Sequence, residues 1–225
     1  MTLRKTLIDG AAAFGLILTG EQADACLIYL AELEKWNRKF NLTAIRDERE
    51  IVTKHFIDSF SYLMGFRPES GLALLDMGSG AGFPALAIKI AAPVLSVTMV
   101  ESAKKKGTFL RHIIRTLGLE DVRVLDMRTN ELPSEHYARY DVVTARAFSD
   151  METAIKEGKA LLKPGGLLVL SRGPAEAVGD DIVAGHGMMV LKRHEFILPG
   201  SGDPRALWVF EKGPDVPRGT IRTKR

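Results

Sequence analysis

Apolar residues recur at helical spacing through the first seventy residues of the chain. The first apolar stripe comprises Ala23, Leu27, Leu30 and Leu33. A second stripe comprises Ile51, Phe56, Ile57, Phe60, Leu63 and Met64. Each follows a capping signature, Thr19 with Gln22 and Asp47 with Glu50, in which side chains satisfy free backbone N–H groups of the first turn. The pattern predicts an N-terminal helical extension over residues 1–70.

From Gly71 onward, short apolar runs rich in β-branched residues alternate with helical patterns. Five runs have the character of strands covered on both faces: 72–76, 94–100, 122–125, 140–145 and 167–171. Helical patterns around 85–92, 103–117 and 151–162 separate them, which favours a parallel sheet with crossover helices. Two late runs, 188–198 and 206–210, predict a terminal antiparallel hairpin. We therefore expect an α/β domain over 71–212 with a mostly parallel, seven-stranded sheet.

Composition narrows the class of protein. The chain has 225 residues, 46% of them hydrophobic, so it can bury a substantial core. Its single cysteine, Cys26, excludes a disulfide framework and a cysteine-cluster metal site. The sequence has no apolar stretch of membrane-spanning length and no signal-peptide core, so we expect a cytoplasmic protein without membrane contact.

The excess of positive charge lies at the C-terminal end. The net charge is +3, whereas residues 212–225 carry five basic residues and one acidic residue. The rest of the chain is therefore close to neutral. Residues 213–225 are predicted to form a basic, flexible tail, which is either solvated or in contact with nucleic acid.

The most specific local signal is a glycine loop that follows the first predicted strand and opens the first crossover helix. After Asp76, the loop carries Gly78, Gly80 and Gly82 and then Phe83. A dinucleotide fingerprint needs its third glycine at position 83, where a phenylalanine stands. Glycines at these positions allow a tight turn and the close approach of a ligand to bare backbone. The G-x-G-x-G spacing favours S-adenosylmethionine and a Rossmann-like class I methyltransferase fold.

Residues after the next two strands fit the same cofactor. Glu101 follows the second strand, where an acid accepts both ribose hydroxyls of an adenosine. Thr129 and Asn130 follow the third strand, where adenine is commonly contacted. The region after the fourth strand has no NPPY- or DPPY-like tetrapeptide, no cysteine lies near the sheet, and no His/Asp/Glu cluster has metal spacing. These patterns argue against exocyclic-amine and carbon-5 pyrimidine methylation, and no metal is expected.

Further motifs carry a resemblance to a known family. They are Lys35-Trp36-Asn37, Asn41-Leu42-Thr43, Ile45-Arg46-Asp47, His55 with Asp58-Ser59, and Arg146-Ala147-Phe148. Together with the glycine loop they resemble the bacterial small-subunit ribosomal RNA methyltransferase G family, also called glucose-inhibited division protein B. The match is dense from about residue 36 to residue 148. Ala85, Asn130 and Ser171-Arg172-Gly173 depart from the family's usual residues.

The resemblance implies methylation of N7 of one guanine in the 530 loop of 16S rRNA, with the rRNA or the small ribosomal subunit as partner. It also implies that Gly78, Phe83, Thr129 and Asn130 contact the cofactor and that Arg146 lies at the site. Guanine N7 carries a lone pair and no proton, so no general base is expected. We therefore expect Arg146 to position substrate or cofactor; an ion pair with a strand-end carboxylate is its structural alternative.

A run of basic residues begins next to Glu101. Lys104, Lys105, Arg111 and Arg115 fall opposite the apolar face of the helix over 103–117. A solvated helix face is the simpler interpretation, but cations at the carboxyl end of the sheet would meet RNA phosphates. With Arg172 and the basic tail they are predicted to form one track for RNA.

Three alternatives remain at this point. The first is a methyltransferase that acts on another substrate, and the second is a non-catalytic ribosome-assembly or RNA-binding module. The third is a nicotinamide dehydrogenase, which Phe83 disfavours. Intact Gly78, Gly80, Gly82 and Glu101 argue against a non-catalytic module. No obligate protein partner is evident, and a monomer is expected.

Overall fold

The computed structural model of the protein describes residues 2–176 and 178–214. It begins with helices α1 (Leu3–Ala12) and α2 (Gly20–Phe40). The predicted capping box is present at α2, where Thr19 and Gln22 exchange hydrogen bonds. Asp47 accepts a hydrogen bond from the Glu50 N–H at the start of the next helical segment. The predicted basic tail lies, from residue 215 on, outside the described residues.

That next segment, α3, is one continuous helical stretch with changing geometry. It comprises α-helical Glu48–Ile51, π-helical Val52–Ile57, α-helical Asp58–Phe60 and 3₁₀-helical Ser61–Met64. π-Helical turns within α-helices are rare and are frequent at functional sites. The π-helical turn carries Lys54 and His55.

The sheet has seven strands in the order β3-β2-β1-β4-β5-β7-β6. The strands are β1 (Ala73–Met77), β2 (Ser96–Val100), β3 (Val122–Leu125), β4 (Tyr140–Arg146), β5 (Leu162–Arg172), β6 (Met188–Ile197) and β7 (Pro204–Lys212). Strands β1 to β5 pair in parallel. Strand β7 pairs antiparallel with both β5 and β6. The predicted α/β class, the number of strands and the terminal hairpin are confirmed.

Helices connect the parallel strands. They are α4 (Ala85–Ala91), α5 (Lys104–Thr116) and α6 (Met151–Leu161), and α7 (Asp180–Gly185) precedes β6. The connection from β3 to β4 is made by short 3₁₀ turns, Thr129–Glu131 and Ser134–His136. None of the described helices combines the length and apolar character needed to cross a bilayer.

The sheet separates two hydrophobic cores. Leu74 belongs to one core and its neighbour Leu75 to the other, because successive strand residues point to opposite faces. This arrangement explains the absence of polar alternation in the central strands. The helices of the N-terminal extension pack in the first core, with Tyr29, Phe56 and Phe60 fully buried there. The extension therefore shares its core with the sheet.

Candidate active site

Two clefts lie at the carboxyl ends of the parallel strands, on either side of the β1–β4 pair. Strands β2 and β3 continue the sheet on one side of this pair and β5 continues it on the other, so this is the point where ligands bind in open α/β sheets. Cleft 1 follows β1, β2 and β3 and has a volume of about 250 Å³. Its lining comprises Gly78, Val100, Glu101, Ser102, Met127, Arg128, Thr129, Asn130, Phe148 and Glu157.

The glycine loop presents bare backbone to cleft 1. Gly78 has a φ of +65°, and a Cβ there would come within 3.0 Å of the Phe148 ring. Gly80 has a φ of +58°. L-amino acids with side chains rarely adopt this conformation, so the turn favours glycine at both positions. The space that a Cβ of residue 78 would fill is therefore open to a ligand that lies against the backbone.

Glu101 is held in place by the loop that it faces. Its carboxylate accepts hydrogen bonds from the N–H groups of Gly80 and Ala103, each at 2.8 Å. The residue is 7% exposed and lines cleft 1. Each carboxylate oxygen has a second lone pair, so the two oxygens remain able to accept ribose hydroxyls.

Asp76 lies beneath the loop and is fully buried. Its Oδ1 accepts a hydrogen bond from Thr144 Oγ1 at 2.7 Å, whereas its buried Oδ2 has no hydrogen-bond partner among the described residues. Burial raises the pKa of the Asp76 carboxyl to about 6. Asp76 does not line cleft 1, so its carboxyl stabilises the loop from beneath.

Gly82 and Phe83 pack the loop onto the N-terminal helices. Gly82 has a φ of +95°, and Tyr29 of α2 donates a hydrogen bond to the carbonyl of Ala81. The Phe83 ring stacks on Tyr29 at 5.0 Å and on His55 at 4.8 Å between ring centroids. Neither residue lines cleft 1; both fix the position of the loop.

Cleft 2 lies on the other side of the β1–β4 pair and has a volume of about 430 Å³. It is lined by the π-helical turn of α3, the ends of β4 and β5, and the start of β7. These residues are Ile45, Lys54, His55, Asp58, Arg146, Ala147, Ser171, Arg172, Gly173, Glu176 and Arg205. Ala147 has a φ of +49°, so the chain turns sharply there. Arg146 therefore lines cleft 2 while Phe148 lines cleft 1.

Arg146 is anchored to the π-helical turn. Its guanidinium donates to the Lys54 carbonyl at 3.0 Å and lies 3.4 Å from the buried carboxylate of Asp58. It also lies 5.4 Å from the centroid of the Phe83 ring. The structure thus contains an ion pair of Arg146, but its partner comes from the N-terminal extension and not from a strand end.

His55 is a neutral hydrogen-bonding link in this arrangement. Burial and the charge of Arg146 lower the pKa of His55 to about 3. Its Nδ1 lies 3.1 Å from the Arg146 guanidinium, and its Nε2 lies 2.8 Å from Thr43 Oγ1. Nδ1 also lies 3.2 Å from the Lys54 carbonyl oxygen, so both ring nitrogens of His55 have hydrogen-bond partners.

The residues predicted to contact RNA are dispersed. Lys104, Lys105 and Arg115 are exposed on α5, and Lys105 lies 5.7 Å above the Phe40 ring of α2. Arg111 forms a 2.8 Å ion pair with Asp126 after β3. Arg172 lies in cleft 2 with a side chain that is 8% exposed. Arg172 thus lines cleft 2, whereas the predicted α5 residues line neither cleft.

Of the residues predicted to bind the cofactor, Gly78, Glu101, Thr129 and Asn130 line cleft 1. The other predicted residues do not line this cleft: the glycine loop and its supports include Asp76, Gly80, Gly82 and Phe83. Arg146 lines the neighbouring cleft 2. The sequence interpretation missed Met127 and Phe148 in cleft 1, and Lys54 and Arg205 in cleft 2. Their positions directly after strand ends were a usable signal for the first two. Arg205 approaches Asp58 across 147 positions of sequence, for which no local signal exists.

Comparison with known proteins decides the family. The family model described as rRNA small subunit methyltransferase G matches residues 22–193. The chain belongs to the ribosomal RNA small subunit methyltransferase G family. The ribosomal RNA small subunit methyltransferase G of Geotalea uraniireducens is 39% identical over 222 residues, which cover 95% of this chain and 99% of that protein. The protein of the same name from Roseiflexus castenholzii is 43% identical over 179 residues, covering 79% and 75% of the two chains.

Solved structures support the fold. TrmN from Thermus thermophilus superposes with a TM-score of 0.55 at 21% identity, covering 78% of this chain and 53% of that one. The predicted membership of the methyltransferase G family and the predicted fold are both confirmed. In this chain the glycine loop lies at cleft 1, and Arg146 lies at the neighbouring cleft 2.

Proposed function

We propose that this protein transfers a methyl group from S-adenosylmethionine to N7 of one guanine in the 530 loop of 16S rRNA. The proposal is carried by the bare-backbone turn at Gly78, which faces Glu101 across cleft 1 in a member of the methyltransferase G family. The methyltransferases of Geotalea uraniireducens and Roseiflexus castenholzii, which carry the family's name, support the rRNA substrate.

The residues of cleft 1 fit the proposed cofactor. When bound, S-adenosylmethionine supplies an electrophilic methyl group on a sulfonium centre. Glu101 would hold the ribose hydroxyls, and Thr129 and Asn130 with Met127 would surround the adenine. Gly78 would admit the amino-acid end against the backbone, above the unsatisfied Oδ2 of Asp76.

The protein's part in the reaction is alignment without proton transfer. Guanine N7 has one in-plane lone pair, which must stay free to attack the methyl carbon. An arginine that donated to N7 would occupy that lone pair, so Arg146 can hold only the O6 side of the base or the wall next to it. Its contacts with Lys54, His55 and Asp58 fix it for this positioning role. Orientation of this kind is worth about 7–11 kcal/mol in well-aligned systems.

The substrate sets the remaining parts of the proposal. An rRNA or small-subunit substrate places the protein in the cytoplasm. We expect it to act as a monomer, because residues of one chain line both clefts.

The test is methylation in vitro with labelled S-adenosylmethionine on 16S rRNA and, in parallel, on small ribosomal subunits lacking the modification. We expect label on one guanine of the 530 loop, with the chemical reactivity of N7-methylguanine. Label on an exocyclic amine or on ribose would contradict the N7 assignment. Absence of cofactor binding by calorimetry would instead support a non-catalytic RNA-binding role.

A further inference from the structure

The lining of cleft 2 contains more basic than acidic side chains. Its lining includes four cations, namely Lys54, Arg146, Arg172 and Arg205. The same lining includes two carboxylates, those of Asp58 and Glu176. His55 adds no charge at neutral pH because its pKa is lowered to about 3. The lining therefore has a surplus of two positive charges. Glu50 next to Lys54, and Asp203 next to Lys54 and Arg205, offset these charges from just outside the lining.

Three of these cations already have close partners. Lys54 Nζ lies 2.9 Å from Glu50, and the buried carboxylate of Asp58 is shared between Arg146 and Arg205 at 3.4 and 3.1 Å. These contacts hold the three side chains at the wall of the cleft.

Arg172 differs from them. Its Nε and one of its terminal nitrogens are buried and have no hydrogen-bond partner in the part of the chain that the structure describes. The nearest acid is the half-exposed Glu176, whose carboxylate lies 3.6 Å from Nε, beyond hydrogen-bond length. Leaving charged donors buried and unsatisfied is costly, and such groups generally have a ligand or a function.

We propose that cleft 2 binds a phosphate of the RNA backbone next to the target nucleotide, with Arg172 as its principal ligand. A guanidinium presents parallel N–H donors that match two oxygens of one phosphate. Lys54 and Arg205 line the same cleft, but both are paired with acids, so Arg172 supplies the unsatisfied donors. Gly173, directly after Arg172, leaves open space where a side chain would stand, so an oxyanion can approach.

The position of the cleft relative to cleft 1 favours RNA as the source of the phosphate. The turn Arg146-Ala147-Phe148 is the wall that the two clefts share. A nucleotide bound beside this wall, with its base at the mouth of cleft 1, can place its backbone at cleft 2. The inference rests on the proposed function for the identity of the RNA, and the phosphate site itself is testable without methylation.

The first experiment is a binding cycle with the full chain. The probes are an RNA oligonucleotide spanning the 530 loop and a copy with one uncharged methylphosphonate at the target nucleotide. We expect the methylphosphonate to weaken binding to the unaltered protein about tenfold and to leave binding to Arg172→Gln unchanged, because that variant has already lost the contact. An equal loss in both proteins would overturn the proposal.

The second experiment separates this contact from the cofactor site. We expect Arg172→Gln to weaken RNA binding about tenfold, to reduce the salt dependence of RNA affinity by about one phosphate contact, and to leave the affinity for S-adenosylmethionine unchanged. Arg67→Gln, an exposed arginine in the loop before β1, is the matched control and should match the unaltered protein. Unchanged RNA affinity in Arg172→Gln would overturn the phosphate site.

Two further arms complete the design. Arg172→Lys keeps the positive charge but lacks the parallel N–H donors of the guanidinium. If Arg172→Gln fails to fold, a loss of RNA affinity in the lysine variant supports the proposal and full affinity overturns it.

Inorganic phosphate should compete with RNA in the unaltered protein only at high concentration. Tight binding of free phosphate without competition by RNA would overturn the RNA assignment. Failure of methylation with an intact methylphosphonate effect would count against the proposed reaction alone.

Discussion

At the scale of single residues, backbone conformation matters more than side-chain chemistry in cleft 1. Gly78 and Gly80 have positive φ values, and the Gly80 N–H holds Glu101. The acid and the loop therefore position one another. This explains why the glycine spacing and the acid after β2 could be recognised from sequence, since both follow from local chain geometry.

Substitution of Gly78 tests this arrangement. In Gly78→Ala the new methyl would contact Phe148 and stand in the positive-φ region, so we expect S-adenosylmethionine to bind at least tenfold more weakly, about 1.4 kcal/mol. The free energy of unfolding should fall by about 1 kcal/mol. Calorimetric titration and urea unfolding measure the two quantities.

Gly118→Ala is the matched control for that substitution. Gly118 has a φ of +60° with open space around its Cβ position, and it lies after α5, away from cleft 1. It should show the same loss of stability with unchanged cofactor affinity. Equal cofactor affinity in both variants would mean that Gly78 does not contact the cofactor.

At the scale of elements, α5 and the π-helical turn of α3 carry basic residues that are proposed to contact RNA. Helix α5 begins after Glu101 and presents Lys104 and Lys105 to solvent. The π-helical turn places Lys54 and His55 at cleft 2. The apolar periodicity predicted both helical segments, but the change to π geometry left no recognisable pattern in the sequence.

The lysines of α5 are expected to attract RNA through its phosphates. Lys104→Glu combined with Lys105→Glu should weaken RNA binding at least tenfold at moderate salt and reduce the salt dependence, while cofactor affinity stays the same. Filter binding over a salt series measures this. The control, Lys5→Glu with Lys192→Glu, makes the same change of charge on α1 and β6. Equal RNA affinity in the two double variants would show that the α5 lysines are solvent-exposed residues that do not contact RNA.

At the scale of the whole molecule, the N-terminal extension is part of the site. Tyr62, at the end of α3, donates a hydrogen bond to the Ala145 carbonyl at 2.9 Å and accepts one from the Ser171 N–H at 3.2 Å. One buried hydroxyl thus ties the carboxyl ends of β4 and β5, which carry Arg146 and Arg172. Asp58 makes a second connection by pairing with Arg205 of β7.

Removing the Tyr62 hydroxyl tests this connection. Tyr62→Phe leaves a buried carbonyl and a buried N–H without their partner, so we expect a loss of about 1–2 kcal/mol in the free energy of unfolding. Methylation should become slower because the two strand ends are less well fixed. Tyr137→Phe, at a half-exposed tyrosine, should change neither quantity. A Tyr62→Phe protein with unaltered stability and rate would show that the link is dispensable.

The sequence by itself determined most of the secondary structure and the residues of cleft 1 that follow strand ends. Periodicity predicted the three crossover helices, the seven strands and the hairpin to within a few residues, because local patterning follows directly from which faces are buried. Strand β5 begins five residues earlier than predicted, and helices α1 and α7 were not predicted individually. Residues that follow strand ends, such as Glu101 and Thr129, could be predicted from the sequence because the strands themselves could be. Only the tertiary structure decided cleft 2, where Lys54, Asp58 and Arg205 converge from distant parts of the chain. Such contacts depend on how the extension packs against the sheet, and no local pattern in the sequence encodes that packing.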